Sequence, residues 1–90
     1  MSDNFIDKIP PINHPIWIKV LTQGAQIKFE SLQVQLFISK VKIALLVEKD
    51  EKKKKQLENE YANNLFNIFT TNINLPSVQK DLTKLLEVFK

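Results

Sequence analysis

Ninety residues, a net charge of +3 and no cysteine allow one small domain with a modest core, and they exclude a disulfide framework or a thiolate metal site. All thirteen basic residues are lysine, so the guanidinium that most often reads guanine edges and clamps phosphate is missing, which points away from nucleic acid. The acidic start MSDNF lacks the basic and apolar regions of a secretory leader, and the longest apolar run is interrupted by Lys40 and Lys42. That run is too short and too charged to span a bilayer, so a cytoplasmic protein that uses no membrane is expected.

Residues 1–15 hold Pro10, Pro11 and Pro15 among Phe5, Ile6, Ile9 and Ile12. Proline fixes φ and biases its predecessor toward extended backbone, so this stretch is predicted to be an arm, packed on the domain or docked on a partner. With Asn13 as a cap and Pro15 in the first turn, a helix is predicted through Ile16, Trp17, Ile18, Val20 and Leu21. Gly24, the only glycine, is predicted to break or kink it.

The stretch Ala25 to Val47 is the densest apolar part of the chain. On a helix at ~100° per residue, Ala25, Phe29, Leu32, Leu36, Ile43 and Val47 share one stripe, and Ile27, Val34, Ile38, Val41 and Leu45 form a second, opposite it. The alternation Leu32, Val34, Leu36, Ile38 is also the period of a half-buried strand, which keeps open an α+β fold with a β-rich N-terminal half and two helices after it. Helix is preferred because Gln, Lys, Glu, Leu and Ala fill the sequence and no tight-hairpin pair occurs near Ser31 or Ser39.

A turn is placed near Lys49 and Asp50, with Asp50 as cap of the next helix. Lys52 to Lys55 resemble a basic patch, but Glu48, Asp50 and Glu51 each stand four residues before a lysine, the spacing of a solvated helix face. From Leu57 the period is helical, with Leu57, Tyr61, Leu65 and Ile68 on one side. Thr70 to Pro76 is a break, and Ser77 is expected to cap a last helix with Val78, Leu82, Leu85, Leu86 and Phe89 on its apolar stripe.

Candidate chemistry is sparse. His14, the only histidine, has no partner set for a metal site or a triad, the acids are interleaved with lysine, and one glycine cannot make a phosphate loop. No catalytic, cofactor-binding or metal-binding residue is assigned, and an enzyme is not expected. The sequence therefore predicts an all-α chain, a single domain over 1–90 made of a helical core at 16–90, with three main helices, and an extended Pro-rich arm. The expected function is a non-catalytic protein-interaction module, a small adaptor, regulator or assembly subunit. Its partner is a protein or a second copy, a dimer being favoured, met through Trp17, Val34, Ile38, Val41 and Leu45. The alternative is a nucleic-acid accessory protein that uses Lys52 to Lys55.

Overall fold

The computed structural model describes residues 5–89, apart from the side chain of Ala25. The acidic start at Met1 to Asn4, and the place of the Ala25 side chain on the first stripe, lie outside what it describes. Four α-helices follow one another: α1 (Ile16–Gln23), α2 (Leu32–Val47), α3 (Glu51–Thr71) and α4 (Pro76–Val88), with short 3-10 turns at Phe5–Lys8 and Gly24–Gln26. No strand occurs among the described residues, so the all-α bundle holds and the alternation in residues 32–47 belongs to a helix.

Three of the four helix starts differ from expectation. At α1 the cap position is Pro15 and not Asn13, and the His14 Nδ1 just before it accepts a hydrogen bond from the Ile16 N–H at 3.0 Å. Helix α1 stops at Gln23, where Gly24 takes φ −88° and a 3-10 turn follows. The helix predicted from Ala25 starts only at Leu32. Ser31 holds extended backbone there and its Oγ accepts from the Val34 N–H at 3.4 Å, a serine N-cap that satisfies one of the donors every helix start leaves open. Phe29 therefore leaves the α2 stripe and enters the core from the connecting segment.

Asp50 caps α3 as its position foretold, its Oδ1 accepting from the Lys52 N–H at 2.9 Å and the Lys53 N–H at 3.5 Å. At the far end the Asn72 side-chain amide donates to the Ile68 carbonyl at 2.9 Å. Helix α4 starts two residues earlier than a Ser77 cap requires: Pro76 occupies its first turn and Leu75 is the cap position, with no side-chain bond. Proline is suited to that place because its fixed φ is helical and its missing N–H would have been unsatisfied anyway.

A single cluster of buried side chains joins all four helices: Ile16, Trp17, Val20 and Leu21 from α1, Val34, Val41 and Leu45 from α2, Ala62, Leu65 and Phe69 from α3, and Val78, Leu82 and Leu85 from α4. Its aromatic centre is Trp17, which meets Phe66 edge-on at 5.6 Å between ring centroids and Phe69 at 5.5 Å. The Trp17 indole N–H donates to the carbonyls of Pro10 and Pro11 at 3.3 Å and 3.1 Å. Because a buried indole N–H needs an acceptor, this bond draws the proline arm onto the domain, where Phe5 and Ile9 pack against the core. Ile6 and Ile12 remain exposed on the outside of the arm.

Asp81 provides the polar join between α4 and the start of α2. It is fully buried, and its two carboxylate oxygens accept from the Glu30 N–H at 2.6 Å and the Ser31 N–H at 2.9 Å. Just outside, Lys84 Nζ donates to the Lys28 carbonyl at 2.7 Å and to Glu30 Oε2 at 3.1 Å, and Lys80 lies 3.8 Å from Glu30 Oε1. The segment 28–31 is thus held by α4 before α2 begins, which sets how α2 is rotated about its own axis.

Candidate interaction surface

That rotation decides which of the two apolar stripes of α2 is covered. Val34 and Val41 are fully buried, Leu45 is nearly so and Ile38 is half-buried, while Phe37 stacks edge-on against Tyr61 of α3 at 6.1 Å. Trp17 lies at the centre of the core. Of the residues expected to meet a partner, Trp17, Val34, Val41 and Leu45 are therefore used by the chain on itself, and that assignment is corrected. The reason is geometric: α1 and α3 pack on one side of α2, and the side they cover is the second stripe.

The first stripe faces outward. Leu32, Leu36, Ile43, Leu46 and Val47 are between 63% and 79% exposed. At ~100° per residue they span only ~100° of the helix circumference, so they form one face and not scattered side chains. Leu46, absent from the stripe as read from sequence, belongs to it. Singly exposed leucines are ordinary on protein surfaces, but five large aliphatic residues in one row form an exposed apolar patch.

The composition of each arc carried the signal that separates them. The inward arc runs Ala44, Phe37, Val41, Val34, Leu45 and Ile38 without a polar residue. The outward arc contains Ser39 and is edged by Lys40 on one side and by Gln35 and Lys42 on the other. Among the described residues neither Lys40 nor Lys42 makes an ion pair, and α2 itself contains no acid. On the Lys42 edge a groove of about 450 Å³ opens beside the helix, lined by Ile27, Lys28, Gln35, Ile38, Ser39 and Lys42 among others.

Elsewhere the buried polar side chains among the described residues are committed to structure. The hydrogen bond from Lys84, joined by the positive charge of Lys80 and Lys84 and opposed by partial desolvation, holds the Glu30 carboxyl below its ordinary value. Among the described residues no buried side-chain nitrogen or oxygen lacks a hydrogen-bond partner, and no three His, Cys, Asp or Glu side chains gather where a metal could bind. Lys52, Lys53 and Lys55 are exposed and Lys54 is half-buried. Four consecutive helical residues fan over ~300°, so these lysines do not form a single basic face. The acids before them make no ion pair with them among the described residues. Asp50 is engaged as a cap, and Glu48 lies beyond the end of α2, where its Oε2 accepts from the Asp50 N–H at 3.2 Å. No described helix is long and apolar enough to cross a membrane. No family model, curated protein or solved structure matches this chain.

Proposed function

We propose that this chain is a non-catalytic protein-interaction module, a small adaptor, regulator or assembly subunit, and that the outward face of α2 is its contact surface. One observation carries the reading: Leu32, Leu36, Ile43, Leu46 and Val47 form an aliphatic row, broken by Ser39, on a helix whose opposite side already fills the core. An amphipathic helix covers one side of itself when it joins a bundle; α2 has spent that side and presents a second. Apolar helix faces of this kind are the usual element of helix-in-groove and helix-on-helix recognition, read through residues three and four apart.

The test compares the wild-type chain with Leu36→Asp/Ile43→Asp, both at exposed positions. Light scattering coupled to size exclusion at several concentrations is combined with binding of a hydrophobic dye. The reading expects the wild-type chain to self-associate or to bind dye as a monomer, and the double variant to do neither while keeping its helical circular dichroism. A wild-type chain that stays monomeric and binds no dye at any concentration would show that the face attracts nothing, and the reading would fail.

A further inference from the structure

The outward face of α2 has a periodicity finer than a mere apolar row. Leu32, Leu36, Ser39, Ile43 and Leu46 are spaced four, three, four and three residues apart, the seam of a heptad repeat in which Leu36 and Ile43 hold the a positions and Leu32, Ser39 and Leu46 the d positions. At 1.5 Å per residue the seam is about 21 Å long. The flanking e and g positions are Gln33, Gln35, Lys40, Lys42 and Val47, so the flanks carry positive charge and no negative charge. Lys28, exposed on the groove beside Lys42, adds a third cation to that edge.

We propose that this seam docks an amphipathic helix of another protein whose own apolar stripe is edged by carboxylates. The inference rests on the α2 face being an interaction surface and names what occupies it. Interhelical pairing between e and g positions selects partners in such packings, and here every charged flank is a lysine that no acid of the described chain neutralises. A second copy suits these flanks poorly. In a parallel pair of α2 helices, Gln35 would face Lys40 and Lys42 would face Val47; in an antiparallel pair, the two copies of Lys40 approach each other across the dyad. Neither arrangement gives either lysine an opposite charge. An anionic bilayer would, but an interfacial helix sets its apolar face against a strongly charged opposite face rich in lysine or arginine. Here the opposite side of α2 fills the core, and Lys40 and Lys42 are the only charges the helix carries.

The experiment uses fluorescence anisotropy with two synthetic 21-residue helical peptides, both with leucine at a and d, one with glutamate and the other with lysine at e and g. The expected result is binding of the glutamate peptide at a Kd on the order of 10–100 μM, as a small helix-on-helix interface allows, and about tenfold more weakly for the lysine peptide, as two or three exposed charge pairs imply. The gap should close as salt is raised. Lys40→Glu/Lys42→Glu should reverse the preference, and Leu36→Asp/Ile43→Asp should abolish binding of both peptides while the helical dichroism is retained. Equal affinity for both peptides, or binding of neither, would overturn the proposal, as would a preference for vesicles containing phosphatidylserine over the glutamate peptide. Self-association of the chain that is lost in Leu36→Asp/Ile43→Asp, with no peptide bound, would overturn the acidic helix as occupant but leave the α2 face as an interaction surface. Absence of peptide binding, self-association and dye binding together would remove both.

Discussion

Removal of the Asp81 carboxylate tests whether the join between α4 and the start of α2 is a determinant of the fold or an ornament. In Asp81→Ala the Glu30 and Ser31 amide groups lose their acceptor, since Asp81 supplied one oxygen to each at 2.6 Å and 2.9 Å. A buried donor left without a partner costs roughly 1–3 kcal/mol. Ser31 is buried and should approach the upper part of that range, whereas Glu30, whose side chain is open to solvent, can recover water at its backbone. A charge released from a buried site offsets part of the loss, because an ionised carboxylate is itself expensive to desolvate. The net expectation is about 2–5 kcal/mol for Asp81→Ala and about 1–3 kcal/mol for Asp81→Asn, which keeps the volume and one acceptor but turns an amide donor toward an N–H. For a domain whose whole stability is of order 5–15 kcal/mol, either loss moves a urea midpoint measurably.

The assay is urea unfolding followed by circular dichroism at 222 nm, with the slope required to stay constant so that the midpoint reports stability alone. Hydrogen exchange adds a local readout, in which the amides of Glu30 and Ser31 should exchange faster in both variants, ahead of those in α3. A loss below about 1 kcal/mol in Asp81→Ala, less than one orphaned buried donor should cost, would refute the reasoning. It would mean that segment 28–31 is positioned by Phe29 and the Lys84 contacts without the carboxylate.

Leu82→Ala, at a fully buried site, should cost about 2–5 kcal/mol, while Ile43→Ala on the outward face should change stability by no more than about 0.5 kcal/mol; equal losses in urea unfolding would show that the first stripe of α2 is covered after all. Gly24→Ala should stabilise by about 0.4–1 kcal/mol, since φ is −88° and a Cβ there would meet Val20 Cγ1 at 3.4 Å; a lower thermal midpoint would show that the turn needs glycine. Glu30→Gln tests the surface pairs to Lys80 and Lys84. Because the folded-state carboxyl is held below its ordinary value of 4.5, the folded chain binds fewer protons than the unfolded one. Its stabilising contribution is complete above that value and lost as pH falls through the lower folded value. The difference in thermal midpoint between wild type and Glu30→Gln should therefore shrink on acidification below about pH 4.5 and also in 1 M salt, and a difference independent of both would discount the ion pairs.

Local signals were legible where a residue type had a single physical use. Asp50 before a charged run, Gly24 after a short apolar segment, and the Thr-Asn-Pro break before α4 each marked a boundary that the structure places within a residue or two. The start of α2 was misplaced because it is decided at long range. Nothing within residues 25–31 forbids a helix, and Gln26, Lys28 and Glu30 favour one. The extended backbone arises because Asp81, some 50 residues away in sequence, holds the Glu30 and Ser31 N–H groups that a continuous helix would have used. The start of α1 is a local matter by contrast: Asn13 suits a cap by type, but Pro15 holds the cap position and the adjacent His14 takes the Ile16 N–H.

Which side of α2 the chain covers was not legible from periodicity alone. Two apolar stripes on one helix are equivalent under a periodicity argument, because alternation at two residues advances the direction by ~200° and so populates opposite sides equally. What breaks the equivalence is the quality of each arc and not its hydrophobicity. The inward arc combines the slim Val34 and Val41 with Phe37 and Ala44, a mixture of small and large side chains that lets α3 approach closely and interdigitate. The outward arc keeps a serine at its centre and lysines at its edges. A serine in a chain's own core would need a buried hydrogen-bond partner. In a seam between two proteins it stays wet when the partner is absent and weakens a permanent association, as polar residues at heptad core positions do. Ser39→Leu should therefore leave the fold intact and strengthen every contact made through α2, including unwanted self-association, which light scattering at several concentrations would register. If Ser39→Leu remains as monomeric as the wild type and binds the glutamate peptide no better, the heptad seam is not the surface through which this helix meets other chains.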